Sequence, residues 1–208
     1  MGTKKIGLFY NQGFDVLMGY ESTPDEVNYV INNDYVLFYN QNHQCCGFNL
    51  LNDSKHLTTP LKLGINSDNY DLLTELWTIF KQNDYYFNIN QQPQFIVGKI
   101  IESKKHPNSD KLNICQVDIG LSTEQIICGA DNCDIGQLVV VVRVGTIMPS
   151  GLKIVPSELL GVISNGMLCS ERELGLPVTI IGKKIMLLSK QQYHMGNNFW
   201  KEYYNGQN

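Results

Sequence analysis

Between Phe95 and Tyr193 the chain has no phenylalanine, tyrosine or tryptophan, although the whole sequence holds 8 Phe, 11 Tyr and 2 Trp. That stretch therefore lacks a row of rings on which flat ligands could stack in succession. Long apolar runs are missing too. No eighteen consecutive apolar residues occur, so no transmembrane helix is expected. The opening MGTKKIGLFYNQGFDVLMGY has two lysines and a short apolar stretch broken by Asn11, Gly13 and Asp15. It reads as a strand and not as a signal peptide. Ile6 stands where an N-myristoylation pattern needs Ser or Thr.

Catalytic signatures are absent as well. The sequence has no P-loop, Rossmann fingerprint, nucleophile elbow or His-Glu-x-x-His. Cys169-Ser170 has no identifiable base and reads as a packed thiol beside an N-capping serine. The chain is expected not to be an enzyme and to need no cofactor. Six cysteines stand at 45, 46, 115, 128, 133 and 169. Cys128 and Cys133, with His106 upstream, lack the second close pair of ligands that a zinc site needs. Without a secretion signal the six read as small buried hydrophobes in a reducing cytoplasm, the expected location.

Positive charge is scarce overall: 16 Lys and Arg face 20 Asp and Glu, a net −4. The deficit is uneven. Residues 1–93 carry five basic against ten acidic residues, whereas residues 94–190 carry ten against nine. A polyanion would have to be met by a local patch in the second part.

With 43% hydrophobic and 17% charged residues, the 208-residue chain can form a packed core. Lys5–Tyr10, Asp15–Tyr20, Tyr35–Tyr39 and Cys45–Leu50 read as strands separated by Asn, Gly and Asp. Leu72, Leu73, Leu76, Trp77, Ile79 and Phe80 recur at helical spacing, with Ser67 or Asp68 as cap and Asp71 and Glu75 at the positive end. Residues 1–90 are therefore expected to form a small α+β domain. The polar segment Asn88–Gln94, with Pro93, reads as a linker.

Beyond it, Phe95–Ile101, Leu112–Gly120, Gln125–Cys128 and Leu138–Val144 are short β-rich segments, which suggests a small barrel over 94–190. Val139–Val142 is apolar without alternation, as in a strand buried on both faces. Ser170-Glu171-Arg172-Glu173 is a capping box that predicts a short helix ended by Gly175. Residues 191–208 form a tail. Its Phe199–Tyr204 aromatics suit packing on the N-terminal domain or across an interface.

One stretch is more specific. Val97-Gly98-Lys99-Ile100, His106-Pro107-Asn108-Ser109-Asp110-Lys111-Leu112, Gln116–Gly120, Ile127–Asn132 and Gly161–Leu176 follow one another in fixed order over about eighty residues. This order resembles the tRNA-binding domain shared by bacterial phenylalanyl-tRNA synthetase β subunits, many methionyl-tRNA synthetases and the EMAP-II type auxiliary proteins. With an acidic domain in front, the whole chain resembles the YtpR group of stand-alone bacterial proteins. The resemblance implies a mainly β chain: an α+β N-terminal domain and a C-terminal OB-fold β-barrel that binds tRNA.

On that resemblance, Lys99, Lys104, Lys105, Lys111, Arg143, Lys153 and Arg172 are candidate phosphate contacts, as a patch or as ordinary surface charge. His106 and Asp110 belong to the same loop, where Asp110 either orders the turn or touches RNA. Asn132 suits base-edge or 2′-hydroxyl reading, or an Asx turn. Ser164, Asn165, Gly166 and Met167 offer small polar groups, close backbone approach and a soft apolar side chain for a base or for the core. Leu160 stands where the family usually has an arginine. The shortage of aromatics favours recognition of folded RNA shape over stacking. A chaperone role, a synthetase or other protein partner, and a homodimer all fit the resemblance. The alternative is a protein-interaction module with a degenerate RNA-binding face.

Overall fold

The computed structural model describes residues 5–21, 28–52, 55–82 and 92–206. They divide into two compact units: Met1–Gln92 with Ile147–Lys153, and Pro93–Thr146 with Ile154–Asn208. Most of the expected linker lies outside the described residues.

The first unit is an antiparallel sheet covered by one helix. Its strands are β1 (Gly7–Asn11), β2 (Val16–Tyr20), β3 (Asn28–Asn32), β4 (Tyr35–Tyr39), β5 (Cys45–Leu51) and β6 (Gly64–Ile65), ordered β3-β4-β5-β2-β1-β6. Leu8, Leu17, Leu37, Phe48 and Leu50 bury against Leu72, Leu73, Leu76 and Phe80 of α1 (Tyr70–Gln82). The Phe48 and Phe80 ring centroids are 4.5 Å apart. Gly19 makes room for the Phe48 ring, which a Cβ there would strike.

Three details of this unit differ from expectation. The helix cap is Asn69, whose Oδ1 accepts from the Leu72 amide at 3.2 Å. Ser67 is instead buried in the sheet, its hydroxyl accepting from the Leu8 amide at 2.9 Å. Trp77 leaves the apolar stripe: it is 42% exposed, with Lys81 Nζ 4.6 Å from its ring centroid.

The second unit comprises β7 (Phe95–His106), β8 (Ser109–Asp118), β9 (Thr123–Cys128), β10 (Leu138–Val142), β11 (Ser157–Leu159), β12 (Val162–Ser164), β13 (Met167–Leu168), β14 (Leu187–Leu188) and α2 (Phe199–Asn205). The main sheet runs β13-β10-β7-β8-β9, with β14 also paired to β10. Val139–Val142 of β10 are fully buried, as a strand covered on both faces should be. No ladder joins the outer strands β9 and β13. Instead the Asn165 amide donates to Gln125 O at 2.7 Å and the Ile127 amide to Ser164 Oγ at 3.0 Å. These bonds curl the sheet into a partly open, OB-like barrel. The chain as a whole is mainly β.

The helix expected after Ser170 is corrected here. Ser170–Glu173 forms its capping box: Glu173 Oε2 accepts from Ser170 N and Oγ at 2.7 Å each, and Glu173 N donates to Ser170 Oγ at 3.4 Å. No helix follows. Gly175, at φ +72°, ends the segment after a single turn, too short for helix propagation. The tail belongs to the second unit. Phe199 and Trp200 of α2 are buried within the second unit, Trp200 lying 5.8 Å from Phe95 and Phe199 stacked on Tyr193 at 5.9 Å. Apolar area left uncovered by the aromatic-poor strands is covered this way.

Candidate nucleic-acid interface

β7 and β8 form a long hairpin turned at Pro107-Asn108. Lys99, Lys104, Lys105 and Lys111 are exposed along it, and Lys105 Nζ donates to Asp110 O at 3.3 Å. The Asp110 residue is exposed at the start of β8. His106 lies beneath this surface, 3% exposed. Its Nδ1 accepts from the Asn108 amide at 3.1 Å, which leaves Nε2 to donate to Leu159 O at 3.1 Å. Asn108 Nδ2 donates to Leu160 O at 3.2 Å. The His-Pro-Asn turn therefore pins the β11–β12 hairpin. That hairpin turns through Leu160 and Gly161, at φ +48° and +87°, and Leu160 is 57% exposed at its tip.

The Ser164–Met167 segment is built into the barrel seam. Ser164 is buried, accepting from Ile127 N and donating to Gly166 O at 3.4 Å. Asn165 is half-buried, its amide already bonded to Gln125. Gly166, at φ +126°, sits so close to β10 that a Cβ would lie 2.7 Å from Val142 O. Met167 is half-buried in β13 opposite Val142.

The remaining candidates are dispersed. Asn132 makes a two-bond clamp on Ile185, Nδ2 donating to its carbonyl and Oδ1 accepting from its amide, each at 2.9 Å. Arg143 is half-buried, with NH1 donating to Pro93 O at 3.4 Å. Lys153 falls in the Ile147–Lys153 excursion counted with the first unit, and its Nζ donates to Glu21 O at 3.3 Å. Arg172 is exposed on the turn after Ser170.

All six cysteines are free thiols, and all but Cys45 are buried. Burial pushes the Cys115 and Cys128 thiols up to about 12 and raises Cys169 as well. Such groups stay protonated and unreactive at neutral pH. Among the described residues no cluster of His, Cys, Asp and Glu could hold a metal ion, and no helix is long and apolar enough to cross a membrane.

A family model described as "Putative tRNA binding domain" matches residues 95–197, which take in most of the OB-like unit but not α2. A Bacillus subtilis protein named "Putative tRNA-binding protein YtpR" is 38% identical over 201 residues, which cover 93% of this chain and 99% of that protein. The chain belongs to the YtpR family. Phenylalanine–tRNA ligase β subunits match a shorter stretch of the chain, under half of it, in the region of the tRNA-binding domain. The Sulfurimonas denitrificans subunit is 58% identical over 85 residues, 40% of this chain and 11% of the subunit. The Campylobacter jejuni subunit is 55% identical over 95 residues, 46% of this chain and 12% of the subunit.

In this YtpR-family chain the structure gathers Lys99, Lys104, Lys105, Asp110 and Lys111 on one exposed hairpin. His106, Ser164 and Asn132 serve internal bonds. Sequence reasoning passed over Lys183 and Lys184, both exposed on the loop that Asn132 clamps. Their one signal was adjacency in an otherwise apolar stretch, Val178–Leu188.

Proposed function

We propose that this protein binds tRNA through its OB-like unit, by folded shape and backbone charge. It acts by binding and not by catalysis, as a chaperone or synthetase accessory in the cytoplasm. The match of the tRNA-binding model to residues 95–197, most of the OB-like unit, carries this reading, together with membership of the YtpR family. The exposed lysines of the β7–β8 hairpin supply cations for phosphates. Phe95, the one aromatic near them in sequence, is fully buried, so stacking has no platform there.

The test is fluorescence anisotropy with unfractionated tRNA at two salt concentrations, beside a K99A/K104A/K105A/K111A variant. Binding at about micromolar Kd or tighter is expected, weakening with salt and further in the variant. Absence of binding at low salt would sink the reading. One observation favours a second reading, a protein-interaction module: Leu160 and Ile163, both more than half exposed, put an apolar tip on the β11–β12 hairpin. Weak RNA binding that ignores salt, with a protein partner or a second copy of the chain retained, is the outcome that reading requires.

A further inference from the structure

The loop carrying Lys183 and Lys184 is exposed but firmly anchored. The Asp131 amide donates to Lys183 O at 3.0 Å, Asn132 clamps Ile185, and the Met186 amide donates to Cys169 O at 2.8 Å. Two clefts open at this loop. One is lined by Arg172, Ile180 and Lys184, among others. The second, about 330 Å³, is lined by Ile127, Gly129, Met167, Lys183 and Lys184, among others. They share Ser170, Gly182, Lys184 and Ile185, so they adjoin along this loop as a groove of two neighbouring clefts, the second of which reaches Met167 at the barrel seam.

The charges in this groove are unequally committed. Glu171 accepts from Thr179 N and Oγ1 at 2.6 Å each and from Ile180 N at 3.1 Å. The Thr179 bonds hold its carboxyl below the usual range. Glu173 is taken up by Ser170 N and Oγ. Among the described residues, neither carboxylate forms an ion pair with Arg172, Lys183 or Lys184, all three of which are exposed. The acids thus hold the turn together, while the cations line open clefts whose walls are part polar and part apolar.

We propose that this groove holds a stretch of tRNA backbone, with Lys183, Lys184 and Arg172 neutralising consecutive phosphates. The proposal rests on the reading of the OB-like unit as a tRNA binder. It extends the contact surface from the β7–β8 hairpin to the opposite end of that unit's sequence. A fixed loop loses little freedom on binding, so its lysines are better placed than those on a mobile tail.

The experiment titrates tRNA into full-length wild type, K183A/K184A, K183R/K184R and the four-lysine hairpin variant, each from about 0.05 to 0.3 M salt. The alanine pair is expected to bind about tenfold more weakly at 0.1 M salt, with a salt slope smaller by about two. The arginine pair keeps the charges and is expected to match wild type. Equal melting temperatures across the variants show that the fold is kept. If wild type binds and the hairpin variant weakens, but K183A/K184A keeps the wild-type Kd and slope, the groove proposal is overturned and the tRNA reading stands. Equal loss in the arginine and alanine pairs overturns it too, because charge would not be what matters. If wild type does not bind tRNA, both fall together.

Discussion

Ser164 shows how a polar residue of a binding motif can be spent inside the fold. Its hydroxyl satisfies the Ile127 amide at the seam between β9 and β12, where no ladder supplies a partner. Replacing Ser164 by Ala leaves that amide without its acceptor. The bond is part-buried, so the loss falls toward the low end of the about 1–3 kcal/mol that an unsatisfied buried donor costs. S164A is therefore expected to lower the unfolding free energy from urea denaturation by that amount, while S164T, which keeps the hydroxyl, retains more of it. An S164A protein that is as stable as wild type but weaker on tRNA would reverse the assignment and make the hydroxyl an RNA contact. His106 and Asn132 follow the same logic. Serine, histidine and asparagine serve a ligand and an orphan backbone group equally well, so the sequence offers both uses and only the surrounding backbone chooses. Lysine is different. Its ammonium is rarely buried unpaired, and Lys99, Lys104, Lys105 and Lys111 lie exposed as a sequence reader would place them.

At the scale of elements, legibility followed periodicity. The α1 stripe and the unbroken apolar run of β10 each carry a pattern that one environment imposes, and both elements formed where that pattern lay. β3 was not legible. All five of its residues are exposed at a sheet edge, so no inside–outside alternation marks it. The turn after Ser170 misled for the opposite reason. Its cap chemistry is intact, but a cap starts a helix only if enough chain follows before a stop, and Gly175 comes too soon. The aromatics of the tail carry no pattern in sequence that names their partner. In the structure α2 is held by its own cap, Asn198 Oδ1 accepting from the Lys201 amide at 3.1 Å. It is held also by Glu202, which accepts from His194 N at 3.0 Å and from Asn197 Nδ2 at 2.7 Å. Phe199 is fully buried between Tyr193, Trp200 and Tyr203. Truncating it leaves a cavity that a seven-residue helix cannot refill, and F199A is expected to cost about 3–5 kcal/mol in urea denaturation. A loss under about 1 kcal/mol would mean that α2 is dispensable to the barrel.

For the whole molecule, the buried thiols set a limit on alkaline stability. Cys115 and Cys128 titrate at about 12 in the folded chain because burial disfavours the thiolate, and Cys169 is raised for the same reason. In the unfolded chain a thiol ionises near 8.5. The folded state thus holds protons that the unfolded state gives up. The resulting stability is whole below about pH 8.5 and is lost as pH climbs toward the folded values. Each such thiol removes about 1.4 kcal/mol per pH unit once the unfolded form is ionised. Burial also raises Tyr204 to about 12, and its loss begins only when the unfolded tyrosine ionises, near pH 10. The urea midpoint, measured in reducing buffer, is therefore expected to be flat from pH 7 to 8 and to fall with increasing steepness from pH 8.5 to 10. C128A is expected to be less stable at neutral pH, because it leaves a small cavity, yet its unfolding free energy should fall less steeply above pH 9, by about 1.4 kcal/mol per pH unit, so that the two curves converge. The slope separates proton linkage from packing, since a cavity lowers the curve without tilting it. A midpoint independent of pH up to 10, or a C128A slope equal to wild type, would show that these thiols already reach solvent in the native protein.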